Sequence, residues 1–205
     1  GWEAGAERFA VAKTELASER VKPVAVLDWS QLRPEDGLLV MHPEQQLDDA
    51  EATEFMKRGG RLAILDDYGV GHELWRRFKI DRIPMPGKPI AALRNNPELP
   101  IAEPYLEVSG GQIGAPHPVV QNVKQLVLNH PTALKHPDLS PVLKVRIAGG
   151  GEAVVAVAGQ VGKGRLFAMS DPSAVINSML RYPGNRAYAA GLVRYLASDS
   201  DRSGG

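Results

Sequence analysis

Short apolar runs separated by segments of helical period constrain this chain more than any other feature. Val24-Ala25-Val26-Leu27, Leu38-Leu39-Val40-Met41 and Leu62-Ala63-Ile64-Leu65 are each continuous rather than alternating. A strand that is apolar at every position is buried on both faces, the pattern of a parallel sheet covered by helices. Between the second and third runs Asp48 precedes Glu51 by three residues, and Ala52, Phe55 and Met56 follow at helical spacing. That combination reads as a capped helix with a buried stripe, closed by Gly59-Gly60. A helix over residues 2–20, with Trp2, Ala6, Phe9 and Leu16 on one face, and a short helix carrying Leu74, Trp75 and Phe78 complete this half. Strands alternating with helices imply right-handed crossovers. The expected fold class is α/β, a three-layer α/β/α sandwich with a mostly parallel sheet and helices on both faces.

The middle of the chain breaks the rhythm. Eight of the sixteen prolines fall within residues 84–118, so no helix fits there. This stretch is expected to be a long excursion over one edge, with short strands at most. Regularity returns at Lys124 to Leu128, Val142 to Ile147 and Ala153 to Ala158. The last of these is joined to Leu166-Phe167-Ala168-Met169 through Gly162-Lys163-Gly164-Arg165, which reads as an antiparallel hairpin. A final helix near Gly184-Asn185 is expected to bury Ala189, Leu192, Val193 and Leu196. Residues 1–197 thus read as one domain, and the Gly/Ser-rich 198–205 as a flexible tail.

Composition removes several function classes. The 205 residues include no cysteine, which excludes disulfides, thiolate metal sites and cysteine nucleophiles. Lys plus Arg and Asp plus Glu both number 24, a balance that argues against nucleic acid or an anionic membrane surface as the main partner. No apolar run approaches the ~20 residues that span a bilayer. The chain opens on Gly1 without a signal-peptide pattern, and is expected to be a processed piece whose targeting segment or anchor lies outside it.

Candidate ligand-binding residues lie where strands end. Asp66-Asp67-Tyr68-Gly69-Val70-Gly71 follows a strand and opens a helix, the place where parallel sheets bind ligands. A dinucleotide motif fails here, because Leu74 stands at the third glycine position and two aspartates would repel a pyrophosphate. A phosphate loop at 162–165 fails as well, since Val157 replaces its first glycine and a strand follows. Asp171 ends the late strand as Asp66 ends the earlier one. If the two strands are parallel neighbours, Asp66, Asp67 and Asp171 converge on one rim, with His42 nearby. Converging carboxylates suit a hard cation or acid–base work. The competing reading makes them caps, in which case Ala costs stability that Asn largely spares. Four of the five histidines (His42, His117, His130 and His136) precede proline, which holds a residue extended. No histidine pair has the i, i+4 spacing of a helical zinc site, so no metal or cofactor is expected.

The order of these motifs is familiar. Gly59 to Gly69, Gly162 to Asp171, Asn177, Asn185 and the His117-Pro118 segment within 115–123 resemble an uncharacterised bacterial family, the domain of unknown function 4350 type. The resemblance implies a class I glutamine amidotransferase-like, flavodoxin-like fold, and relatives that are often membrane-tethered with the domain outside the cytoplasm. In amidotransferases a nucleophilic cysteine follows a strand; here Arg61 to Leu65 leads into Asp66-Asp67-Tyr68. The expected function is a non-catalytic binding or scaffold domain of an envelope-associated protein, with a protein or small-ligand partner. The rival is a metal-dependent hydrolase or carbohydrate-processing domain using rim carboxylates. With no thiol to form the acyl intermediate, purified protein should release no ammonia from glutamine. Turnover above a buffer blank in a coupled glutamate assay would overturn this.

Overall fold

The computed structural model describes residues 24 and 27–197. The helix expected over 2–20, the tail over 198–205, and Ala25 and Val26 of the first apolar run lie outside the described residues. Val24 is exposed, and neither it nor Leu27 belongs to a strand.

The described elements begin with β1 (Gly37–Met41), α1 (Asp49–Lys57), β2 (Arg61–Leu65) and α2 (His72–Arg77). Asp48 caps α1 by accepting from the Glu51 N–H at 3.0 Å, and Ala52, Phe55 and Met56 are buried as the spacing implied. Gly59 leaves the helix at φ 112°, a conformation costly for any residue with a Cβ. The α1 crossover lets β1 and β2 pair in parallel, from Gly37 opposite Arg61 to Met41 opposite Leu65. Every residue of β2 is buried.

Short strands dominate the rest. They are β3 (Asp81–Ile83), β4 (Ile101–Pro104), β5 (Val108–Ser109), β6 (Gln112–Ile113), β7 (Leu126–Val127), β8 (Ala133–Lys135), β9 (Ser140–Arg146), β10 (Glu152–Val161) and β11 (Gly164–Met169). The helix α3 (Pro183–Ala197) follows. Seven strands form one sheet in the order β1-β2-β11-β10-β9-β4-β7. β11 runs parallel to β2, but the pairings β11–β10, β10–β9, β9–β4 and β4–β7 are antiparallel. The expectation of a mostly parallel sheet is therefore corrected to a mixed one. The reason is connection length: β10 and β11 are joined by the two residues Gly162 and Lys163, too few for a crossover. The hairpin itself was legible.

The 84–118 stretch is also more than an excursion over an edge. Its β4 lies inside the sheet, between β9 and β7, and Pro89 bridges Ile147. Only β5 and β6 stand apart, as a two-stranded hairpin. Proline density hid β4 because Pro104, paired with Leu143, reads as a strand breaker.

The side chains of β2 and β11 alternate between two cores. Leu62, Ile64, Leu166 and Ala168 pack with Phe55, Met56, Leu74 and Trp75 of α1 and α2. Ala63, Leu65, Phe167 and Met169 pack with Tyr188, Leu192 and Leu196 of α3. Helices thus cover both faces. The buried stripe of α3 departs from expectation in one respect: Tyr188 and Tyr195 are buried, while Val193 is only half-buried. No helix among the described residues is long and apolar enough to cross a membrane.

A stability test follows from Gly191 in α3. A Cβ there would run into the Val119 carbonyl oxygen. Helix propensity alone favours Gly191→Ala by about 1 kcal/mol. Overpacking opposes it by roughly 1–3 kcal/mol, so the variant should melt lower, not higher. Thermal denaturation followed by circular dichroism checks the sign.

Candidate functional site

The parallel strands β1, β2 and β11 end at one level, and the candidate residues emerge there. The ladder runs to the rim itself. The His42 N–H donates to the Leu65 carbonyl at 2.8 Å, and the Asp66 N–H donates to the Met169 carbonyl at 3.0 Å. His42 takes φ 45°, and His130 φ 52°, so two of the four histidines before proline are left-handed rather than extended. His117 is extended, and its Nδ1 accepts from the Val119 N–H at 3.2 Å.

Three of the candidate residues come together. His42 Nδ1 lies 2.9 Å from Asp67 Oδ1 and 3.6 Å from Asp66 Oδ1. One ligand atom from each residue falls within 4.8 Å of the others. Asp66, however, is fully buried and already engaged. Its Oδ1 accepts from the Gly69 N–H at 2.9 Å and its Oδ2 from the Gly71 N–H at 2.8 Å. The carboxylate thus organises the turn between β2 and α2. Both glycines are needed for this approach: a Cβ at Gly69 would meet Asp66 Oδ1 and the Pro43 carbonyl, and one at Gly71 would meet Ile64 and Asp66. Burial pushes the Asp66 carboxyl above its usual range, against the two N–H donors and the charges of Arg82 and His42.

Asp171 is placed differently. It is fully buried, with Oδ2 accepting from the Asn129 N–H at 2.7 Å and Oδ1 from the Ser173 N–H at 2.8 Å. The second bond caps the single helical turn Pro172–Val175. The carboxyl is pushed up to about 7, first by burial, and the Asp67 charge adds to the shift. Beneath it, the Tyr188 hydroxyl is buried without a hydrogen-bond partner. Burial and the Asp171 charge raise that phenol far above its ordinary value. Asp171 is therefore within electrostatic reach of the rim but faces inward.

Asp67 and Tyr68 remain available. Asp67 Oδ1 accepts from the Tyr68 N–H at 2.7 Å, yet the residue keeps partial exposure. Tyr68 is 70% exposed. It lines a depression of about 220 Å³ together with Met85, Lys88, Glu98, His130 and Pro131. Sequence reasoning missed this wall, which comes from the proline-rich stretch and the loop after β7. Its one signal was His130 before Pro131, which looked like a strand end.

Known proteins bear on the fold. Residues 6–193 match the family described as Domain of unknown function (DUF4350). No curated protein sequence matches the chain. Among solved structures, the mmIFT52 N-terminal domain is similar at a TM-score of 0.65 and 11% identity, covering 91% of this chain and 90% of that one. The cytoplasmic protein STM3548 from Salmonella typhimurium gives 0.56 at 15% identity, over 93% and 86%. The exo-beta-1,4-mannosidase Op5Man5 from Opitutaceae bacterium strain TAV5 gives 0.51 at 11%, over 95% of this chain but 31% of that one.

Because each buried carboxylate uses both oxygens, Asn can serve only one of the two N–H groups, so the expectation that Asn largely spares the loss is withdrawn. The pH response of Asp171 has a definite sign. A carboxyl raised from 3.8 to about 7 on folding stabilises fully below the unfolded value, and that contribution is lost as pH rises through 7. Stability should therefore fall between about pH 4 and 7, by at most about 4 kcal/mol from this group. Urea midpoints across that window should show a shallower slope in Asp171→Asn, with Asp66 supplying a residual slope of the same sign.

Proposed function

We propose that this chain, which belongs to the DUF4350 family, is a binding domain whose ligand seat is the strand-end rim around Tyr68, and not an enzyme working through the rim carboxylates. The observation that carries this reading is the use of Asp66 and Asp171. Four backbone N–H groups occupy their four oxygens, so both carboxylates support the fold. A buried group held by two N–H donors is a poor proton shuttle, because moving its proton disturbs the turn it organises. The absence of cysteine removes a thiol nucleophile as well. What faces solvent is the Asp67–His42 pair and the Tyr68 ring.

The shape of the similar structures supports a modular role. The same fold is an N-terminal domain in one similar structure and about a third of the chain in another, so it recurs as a module of larger proteins. The rival, metal-dependent reading rests on the approach of His42, Asp66 and Asp67. A cation there would have to compete with the Gly69 and Gly71 N–H groups for Asp66.

Thermal melts with added calcium and magnesium separate the two. A bound cation at ~100 times its dissociation constant would add about 2.7 kcal/mol and raise the melting temperature visibly. The expected result is no specific shift, with no metal-dependent turnover of ester or glycoside substrates. Tyr68→Ala should also leave the melt within about 0.5 kcal/mol, as for an exposed side chain held for binding and not for stability. A cation shift that disappears in Asp67→Asn would overturn the binding reading in favour of the metal enzyme.

A further inference from the structure

The depression beside Tyr68 is small, rigid and electrically balanced, and these three properties narrow what it can hold. Tyr68 projects from a turn whose backbone is pinned by Asp66 and Asp67 through the N–H groups of residues 68, 69 and 71. An aromatic ring 70% exposed on a turn with so constrained a backbone is available for contact, and the turn itself loses little freedom on binding. The opposite wall is stiff as well. Pro97, Pro100 and Pro131 contribute to it, and proline offers an apolar ring with no N–H.

Two of the three polar groups are paired, and His130 Nδ1 is taken up by Asn129 Oδ1. The His130 N–H donates to the Glu98 carbonyl at 2.8 Å, and His130 Nε2 lies 3.1 Å from Glu98 Oε2. Lys88 completes the lining. One carboxylate, one ammonium and one imidazole leave no dominant charge. A phosphate would meet Glu98 and nearby Asp67, and an organic cation would meet Lys88. A purely apolar ligand would strip water from all three polar groups without replacing their hydrogen bonds. The volume of about 220 Å³ falls below the range of roughly 300–1,000 Å³ usual for drug-sized ligands.

We propose that the Tyr68 depression binds one neutral, polyhydroxylated six-membered ring, a single sugar unit, with its C–H face on Tyr68 and its hydroxyls on Glu98 and Lys88, while His130, engaged by Glu98 and Asn129, holds Glu98 in place. The proposal rests on the binding reading above and specifies its ligand class. A hydroxylated ring has the complementary pattern: a C–H face for the aromatic ring and paired donors and acceptors for a carboxylate and an ammonium. The shallow, open shape suits a ring presented at the end or side of a longer glycan.

The test is a titration of the full 205-residue chain, labelled with nitrogen-15, with amide signals near Tyr68, Glu98 and His130 as reporters. The probes are neutral monosaccharides and short oligosaccharides, with inorganic phosphate and a proline-rich peptide as separate arms. The expected result is saturable movement of those signals with a neutral sugar, at a dissociation constant on the order of 1 mM. Tyr68→Ala should weaken it about tenfold, while Tyr68→Phe keeps the ring and most of the affinity. Glu98→Gln should weaken it by a similar factor, and all three variants should melt like the parent. Movement of the same signals by phosphate or peptide but by no sugar would overturn the ligand class and leave the rim as a binding seat. No movement with any probe would overturn both. Sugar binding indifferent to Tyr68→Ala would overturn the assigned pocket.

Discussion

The pairing of β2 with β11 is the contact on which the rest of the structure depends. It runs without a break from Arg61 opposite Arg165 to Leu65 opposite Met169, and it joins segments about a hundred residues apart. Both strands are built from residues buried on each face, so each feeds the two cores at once. To one side β2 carries β1 through the α1 crossover; to the other, β11 carries the antiparallel strands through its hairpin. Closing so long a loop is entropically unfavourable, and the reward comes from burying three large side chains on each face of the pair, Leu62, Ile64 and Leu166 on one and Leu65, Phe167 and Met169 on the other.

The same pairing creates the rim. Parallel neighbours end at the same edge, so residues following β1, β2 and β11 meet although they are distant in sequence. Backbone groups at that edge have lost their ladder partners and must find others. Asp66 and Asp171 meet this need for four N–H groups, which keeps the turns short and leaves both carboxylates facing inward. A consequence is that the backbone of the turn after β2 is pinned at residues 68, 69 and 71, and Tyr68 at its tip is displayed to solvent. Structural carboxylates and an exposed aromatic ring are two results of one packing problem.

Local chemistry was readable wherever a residue's partner lies within a few positions. The Asp48 cap, the Gly59-Gly60 stop, the Gly162-Lys163 hairpin and the buried stripe of α1 all belong to this class. The α/β class followed from the continuous apolar runs at Leu38 and Leu62, although burial on both faces is complete only in β2, while Leu39, Val40 and Met41 of the outer strand β1 are half-buried. The approach of His42, Asp66 and Asp67 followed from strand ends being ligand-binding positions.

The remainder depended on distant partners. Strand direction after β2 was set by connection lengths, and β4 entered the sheet despite Pro104 because β9 and β7 flank it. Whether Asp66 and Asp171 are free or engaged rests on N–H groups of residues 69, 71, 129 and 173, whose positions only the closed chain defines. The wall opposite Tyr68 comes from residues 85–100 and 130–131, brought there by the β4 and β7 pairings. By itself the sequence determined the periodicities, the caps and the missing thiol, since these act through neighbours along the chain. Tertiary structure alone decided the sheet's mixed direction, the inward engagement of the carboxylates and the pocket, since each arises when segments far apart in sequence are pressed together by burial.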